Sequence, residues 1–200
     1  MRYGLNGVHH EAVMREVKAR RFDLLRVGWL HEDDADAPAI LAGIRACVGP
    51  PLVIVRDGAQ VLTLNAALDG ADAELWNEPD GHVDGYLSPE EYADRVPAFL
   101  AACEEVGARP WIGAIGNFTH KSFAWLTEML AALPVDLPPY GVTAHYYLHG
   151  QHWTVPHPCF RDRVHEVERF KALIGDRPWA ISEFGYWTTD QRRRAWLPFW

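Results

Sequence analysis

Ala73-Glu74-Leu75-Trp76-Asn77-Glu78-Pro79-Asp80 is a short apolar run broken off by Asn, Pro and Asp. A run that brief, bounded by turn formers, predicts a buried strand over Ala73–Trp76 that ends where the polar residues begin. Downstream, Ser88-Pro89-Glu90-Glu91 supplies a capping hydroxyl, a proline for the first turn and acids for the positive helix end, which predicts a helix over Pro89–Val106. A second short apolar run, Pro110–Ala114, follows the helix directly. Strand, turn, helix and strand in this order make a crossover unit between parallel strands.

The same pattern extends in both directions. Strands are predicted at Arg2–Leu5, Phe22–Val27 and Leu52–Arg56 upstream, and at Val142–Tyr146 and Trp179–Glu183 downstream. Helical patterns fill the intervals at Glu11–Arg20, Pro38–Cys47, Phe123–Leu133, Asp162–Ile174 and Asp190–Trp200, with a less regular one over Gly58–Leu68. No repeat or linker interrupts them, and Pro134–Pro139 reads as a helix-to-strand loop. Seven such units are too many for a small doubly wound sheet, so the expected fold is an α/β TIM barrel, (β/α)8, lacking its eighth strand, with residues 1–200 as a single domain.

Composition narrows the function classes. A formal charge of −8 on 200 residues repels phosphate polymers and anionic membrane surfaces, so neither nucleic acid nor membrane is an expected partner. No stretch approaches the roughly 20 apolar residues of a membrane span, and Met1-Arg2-Tyr3-Gly4-Leu5-Asn6 lacks the features of a secretory signal. Cys47, Cys103 and Cys159 are odd in number and widely spaced, which favours free thiols in a reducing, cytoplasmic compartment. The histidines at 9, 10, 145, 149, 152 and 157 have no accompanying Cys pair or His-Glu-x-x-His spacing, so no metal is expected, and no cofactor. No Gly-x-Ser-x-Gly turn surrounds Ser88, Ser122 or Ser182, and no Gly-rich phosphate loop occurs. Asp57-Gly58 reads as a turn, and Arg192-Arg193-Arg194 as a solvated helix face.

Two carboxylates stand out by position. Glu78 follows the fourth strand, and Glu183, in Ile181-Ser182-Glu183-Phe184-Gly185-Tyr186-Trp187, ends the seventh. Side chains at the C-terminal ends of barrel strands converge on one cleft. A converging pair of carboxyl groups is what glycoside cleavage requires, one to protonate the leaving oxygen and one to attack or stabilise the anomeric carbon. In isolation, a strand-end glutamate followed by proline reads rather as a surface turn, and Arg26 with a carboxylate as a structural ion pair.

Asn77-Glu78-Pro79, Glu183, Arg26 at the end of Phe22-Asp23-Leu24-Leu25-Arg26, and His145-Tyr146-Tyr147 together resemble clan A of the retaining glycoside hydrolases, cellulase-like and xylosidase-like families among them. The likeness spans nearly the whole chain. It implies Glu78 as general acid/base and Glu183 as nucleophile, with Asn77 on the sugar 2-hydroxyl. Arg26 would hold Glu183 ionised, while Glu78, beside Trp76, would stay protonated. Tyr147 would donate to the nucleophile and His145 would line the same wall. Trp187 and Trp29 are either sugar platforms or rim packing. The implied partner is an oligo- or polysaccharide or other glycoside, and a homo-oligomer is conceivable through the open barrel edge. The alternative is a non-catalytic carbohydrate-binding or assembly module derived from such a glycosidase. On either reading Ala195-Trp196-Leu197-Pro198-Phe199-Trp200 is expected to find cover.

Overall fold

A computed structural model describes residues 4–7, 24–27, 37–81, 85–150 and 164–188. The expected helices at Glu11–Arg20 and Asp190–Trp200, Trp29, Cys159 and the C-terminal aromatic run lie outside these residues. Seven strands form one sheet, β1 (Gly4–Gly7), β2 (Leu24–Val27), β3 (Leu52–Val55), β4 (Asp72–Leu75), β5 (Arg109–Ile115), β6 (Gly141–Gly150) and β7 (Trp179–Thr188). They pair in sequence order, and all six pairings are parallel. The intervening helices are α1 (Ala37–Val48), α2 (Gly58–Leu64), α3 (Pro89–Val106), α4 (His120–Ala132) and α5 (Val164–Ile174).

The sheet is curled. With strands about 4.8 Å apart, β2 and β7 would be about 24 Å apart in a flat sheet, beyond the reach of two side chains. Arg26 on β2 nevertheless touches Glu183 on β7 at 3.1 Å. The register agrees with a tilted, barrel-like arrangement. Arg26 pairs with Leu52 and Leu52 with Asp72, yet Arg26 meets Glu74, two residues further along β4. That is the stagger of about one residue per strand found in an eight-stranded barrel. Among the described residues, β1 and β7 each have one strand neighbour.

The core lies between this sheet and its helices. β3 is buried at every position, as a parallel strand covered on both faces must be. α3 begins at the expected Pro89, with the Ser88 hydroxyl accepting from the Glu91 amide and the Glu91 carboxylate accepting from the Ser88 amide. It buries Tyr92, Val96, Phe99, Leu100 and Cys103, a stripe at helical spacing. Burial pushes the Cys103 thiol up to about 12, which makes it inert. α4 starts three residues before the expected Phe123, because Thr119 caps it by accepting from the Ser122 amide. The irregular pattern over Gly58–Leu68 resolves into α2 and a 3-10 turn, Asn65–Leu68. Asp57, in the expected turn, caps α2, its carboxylate accepting from the Gln60 amide.

Candidate active site

β4 stops at Leu75, and the next three residues form an unusual turn. Trp76 and Glu78 both have positive φ, 63° and 49°, conformations that cost a non-glycine residue about 1–3 kcal/mol each. The turn is fastened from three sides. The Trp76 amide donates to the Val55 carbonyl of β3, and the Glu78 amide donates to the Ala114 carbonyl of β5. From α3, the buried Tyr92 hydroxyl donates to the Leu75 carbonyl at 2.8 Å and accepts from the Gly113 amide at 2.9 Å. Burial raises the Tyr92 hydroxyl well above its ordinary value, so it remains a donor.

An irregularity in β5 makes this fit possible. The β5–β6 register shifts between Ile112 and Ile115, where Gly113 has φ 98° and Ala114 φ 42°. The bulge turns the Ala114 carbonyl toward Glu78. Only glycine suits position 113, since a Cβ there would lie 3.0 Å from the Thr143 carbonyl oxygen. Gly116 then leaves room for the glutamate: a Cβ at 116 would stand 3.2 Å from Cδ and 3.3 Å from Cγ of Glu78. Its amide donates to the buried Asp80 carboxylate at 2.7 Å.

A second irregularity serves Glu183. The β6–β7 register steps between Ala144 and His145, so that Ile181 pairs with Ala144 and Glu183 with His145, leaving Ser182 as the extra residue. Glu183 thereby comes opposite His145.

At the centre is the Arg26 guanidinium, 3% exposed. Its Nε donates to Glu74 Oε2 at 2.7 Å, Nη1 to Glu183 Oε2 at 3.1 Å and Nη2 to Asn77 Oδ1 at 2.8 Å. Nη2 also lies 3.1 Å from His145 Nε2. A guanidinium has no acceptor, so Nε2 must accept, and the ring proton belongs on Nδ1. His145 Nδ1 then donates to Glu78 Oε1 at 2.9 Å. The same nitrogen lies 3.8 Å from Glu183 Oε2. The sum of those two distances limits the separation of the Glu78 and Glu183 oxygens to at most about 6.7 Å.

The structure thus brings Arg26, Asn77, Glu78, His145 and Glu183 together at one end of the curled sheet. The side chains of Tyr147 and Trp187 lie outside the described residues, although their backbones belong to β6 and β7. Sequence reading missed three members of the assembly: Glu74, Asp80 and Gly116. Glu74 is hidden in the strand pattern, but an acid in the middle of a fully buried strand was a usable signal. Burial is the largest influence on Glu74 and opposes its ionisation, but the Arg26 guanidinium, His145 and the Ser182 and Thr143 hydroxyls together outweigh it and hold its carboxyl below the ordinary range. Trp76 lies beside the turn with its indole N–H on the Gly85 carbonyl and the Arg95 guanidinium 4.9 Å above its ring.

No protein-family model and no curated protein sequence matches this chain. Among the solved structures similar in fold are two glucanases. One is a GH128 (subgroup II) endo-β-1,3-glucanase from Sorangium cellulosum, with a TM-score of 0.67 at 17% identity over 96% of this chain and 77% of that one. The other is a GH128 (subgroup II) endo-β-1,3-glucanase from Pseudomonas viridiflava, with a TM-score of 0.60 at 14% identity over 96% of this chain and 73% of that one. At such identities the likeness speaks to architecture, and the chain shares the α/β fold of these two glucanases.

Proposed function

We propose that this chain is a retaining glycoside hydrolase acting on a β-glucan, β-1,3-linked by preference, with Glu78 as general acid/base and Glu183 as nucleophile. One observation carries the reading: both carboxylates face the same nitrogen of His145, which brings Glu78 Oε1 and Glu183 Oε2 within at most about 6.7 Å of each other, toward the short end of the separations glycosidases use. Retaining enzymes hold the pair about 5–5.5 Å apart, whereas inverting ones need about 6.5–9.5 Å to admit a water. The fold neighbours supply the substrate class, being endo-β-1,3-glucanases rather than cellulase-like or xylosidase-like enzymes.

In the first step Glu183 attacks the anomeric carbon while Glu78 delivers its proton to the glycosidic oxygen, giving a glycosyl ester and a free sugar. In the second, Glu78 takes a proton from water, which attacks the ester and releases Glu183. Arg26 holds Glu183 Oε2 at 3.1 Å before attack and receives it again when the ester is cleaved. Asn77 Oδ1 accepts from Arg26, which orients the side-chain amide, and its nitrogen is the group that would donate to the sugar 2-hydroxyl. The His145 N–H steadies Glu78 when it acts as the base.

The test uses a soluble β-1,3-glucan and activated aryl β-glucosides. Glu183→Ala is expected to abolish turnover on both. Glu78→Ala is expected to spare the aryl glucosides, whose leaving groups need little protonation. Proton NMR of the first-formed anomer should show retention. Inversion would remove Glu183 from the nucleophile role, and glucan binding without cleavage would favour the non-catalytic carbohydrate-binding module.

A further inference from the structure

The buried acid Glu74 is used by neither step of that mechanism, yet it holds the shortest contacts of the guanidinium that both catalytic candidates depend on. Arg26 approaches Glu74 Oε2 at 2.6 Å through Nη2 and 2.7 Å through Nε, against 3.1 Å for Glu183. We infer that Glu74 is a positioning residue: it aims the Arg26 guanidinium at Glu183 and Asn77, and takes up part of the charge that Glu183 would otherwise face alone. This rests on the retaining-hydrolase reading of the same site.

Stability alone does not account for the arrangement. A fully buried ion pair is commonly no more stabilising than apolar residues of the same volume. What the pair provides is direction. With one edge of the fork clamped by Glu74, Nη1 is left on Glu183 and Nη2 on Asn77 and His145. It also shares charge, because one cation lies between two carboxylates. A carboxylate facing an undivided guanidinium is easier to ionise but a poorer nucleophile. The charged and titratable groups around Glu74 and Arg26 are Glu78 in the turn after β4, Tyr92 from α3, His145 from β6 and Glu183 from β7.

Glu74→Gln keeps the shape and one acceptor while removing the charge. Carbon-13 NMR of the glutamate carboxyls and nitrogen-15 NMR of the Arg26 side chain are recorded on the full chain, beside kcat and KM on an aryl β-glucoside. In the native chain the Arg26 Nε–H signal should be downfield and protected from exchange, and in the variant it should lose that protection. The Glu183 carboxyl carbon signal should move in the variant, because the guanidinium it faces is no longer shared with a second carboxylate. kcat should fall on the order of 10- to 100-fold with KM little changed, and the pH profile of kcat should move. Unaltered Arg26 and Glu183 signals would overturn the inference and reduce Glu74 to a core ion pair, as would an activity loss with an unmoved pH profile. Should the variant not fold, the native chain still decides. Glu74 must stay ionised throughout the active pH range, and a Glu74 carboxyl that titrates within it would overturn the inference. Both NMR readouts need no turnover. A chain inactive on every glycoside therefore sinks the hydrolase reading, whereas unchanged NMR signals in an active chain sink only this one.

Discussion

Glu74 and Arg26 make the acid stability of this protein predictable. Glu74 has a folded-state pKa below its ordinary 4.5, held there against burial by the Arg26 guanidinium together with His145 and the Ser182 and Thr143 hydroxyls. A depressed carboxyl stabilises the fold above its unfolded pKa, and that contribution disappears as pH falls through the folded value. The native chain should therefore lose stability on acidification below about pH 4.5, and Glu74→Gln should show less of that loss, with the two unfolding curves converging toward low pH. Urea denaturation across pH 2–7 checks this. Arg26→Ala strands Glu74 as an uncompensated buried charge and should cost about 3–5 kcal/mol at neutral pH. Gly116 gives a prediction on activity. Adding a methyl at Gly116→Ala brings Cβ to 3.2 Å from Glu78 Cδ, forcing the proposed acid/base aside. A shift of that kind costs on the order of 10²-fold in kcat, with a melting curve close to native.

The elements hold the site through their ends and irregularities rather than their regular parts. Tyr92, in the second turn of α3, ties the last residue of β4 to the bulge of β5 through one hydroxyl. Tyr92→Phe leaves the Leu75 carbonyl and Gly113 amide unpaired in a dry interior, at a cost of about 1–3 kcal/mol. Because those groups border Glu78, kcat should fall more than the loss of folded protein explains, which a parallel measurement of activity and circular dichroism would reveal. The packing of α2 on α3 depends on Gly58. A Cβ there would lie 2.6 Å from the Ala98 carbonyl oxygen, backbone that cannot rotate aside. Gly58→Ala should lower stability by about 1–3 kcal/mol and leave the pH profile of activity unchanged, since the added methyl meets the Ala98–Phe99 backbone of α3.

For the molecule as a whole, the curled sheet is what turns seven separate strand ends into one cleft. Contacts from β2 to β4, β6 and β7 close around Arg26, so the polar cluster also pins the curvature that creates it. Among the described residues β1 and β7 each have one strand neighbour, and bare strand edges invite pairing with further chain. We expect Trp196 and Trp200 fluorescence to be little quenched by acrylamide, whether light scattering finds a monomer or a dimer. Freely quenched C-terminal tryptophans would refute this expectation. Among the described residues no helix is long and apolar enough to cross a membrane.

The alternation of short buried strands with capped helices was legible in the chain because it is local chemistry. Ser88-Pro89-Glu90-Glu91 begins α3 through hydrogen bonds spanning three residues, and Leu52–Val55 has no polar face to offer water. The residue types singled out at strand ends, Arg26, Asn77, Glu78, His145 and Glu183, were equally visible, since position after a strand is a sequence property. Their mutual geometry was not. It depends on two register shifts, at Gly113–Ala114 and at Ser182, whose positions are set by what neighbouring strands and α3 leave room for. Glu74 shows the same limit. Along the chain it is one acid in a strand, and it becomes the partner of Arg26, 48 residues away, only because the sheet curls and excludes water around both. Local patterns encode which elements form, whereas the protonation, aim and spacing of the candidate catalytic groups arise from long-range packing in a dry interior, where a single charge is too costly to leave unpaired.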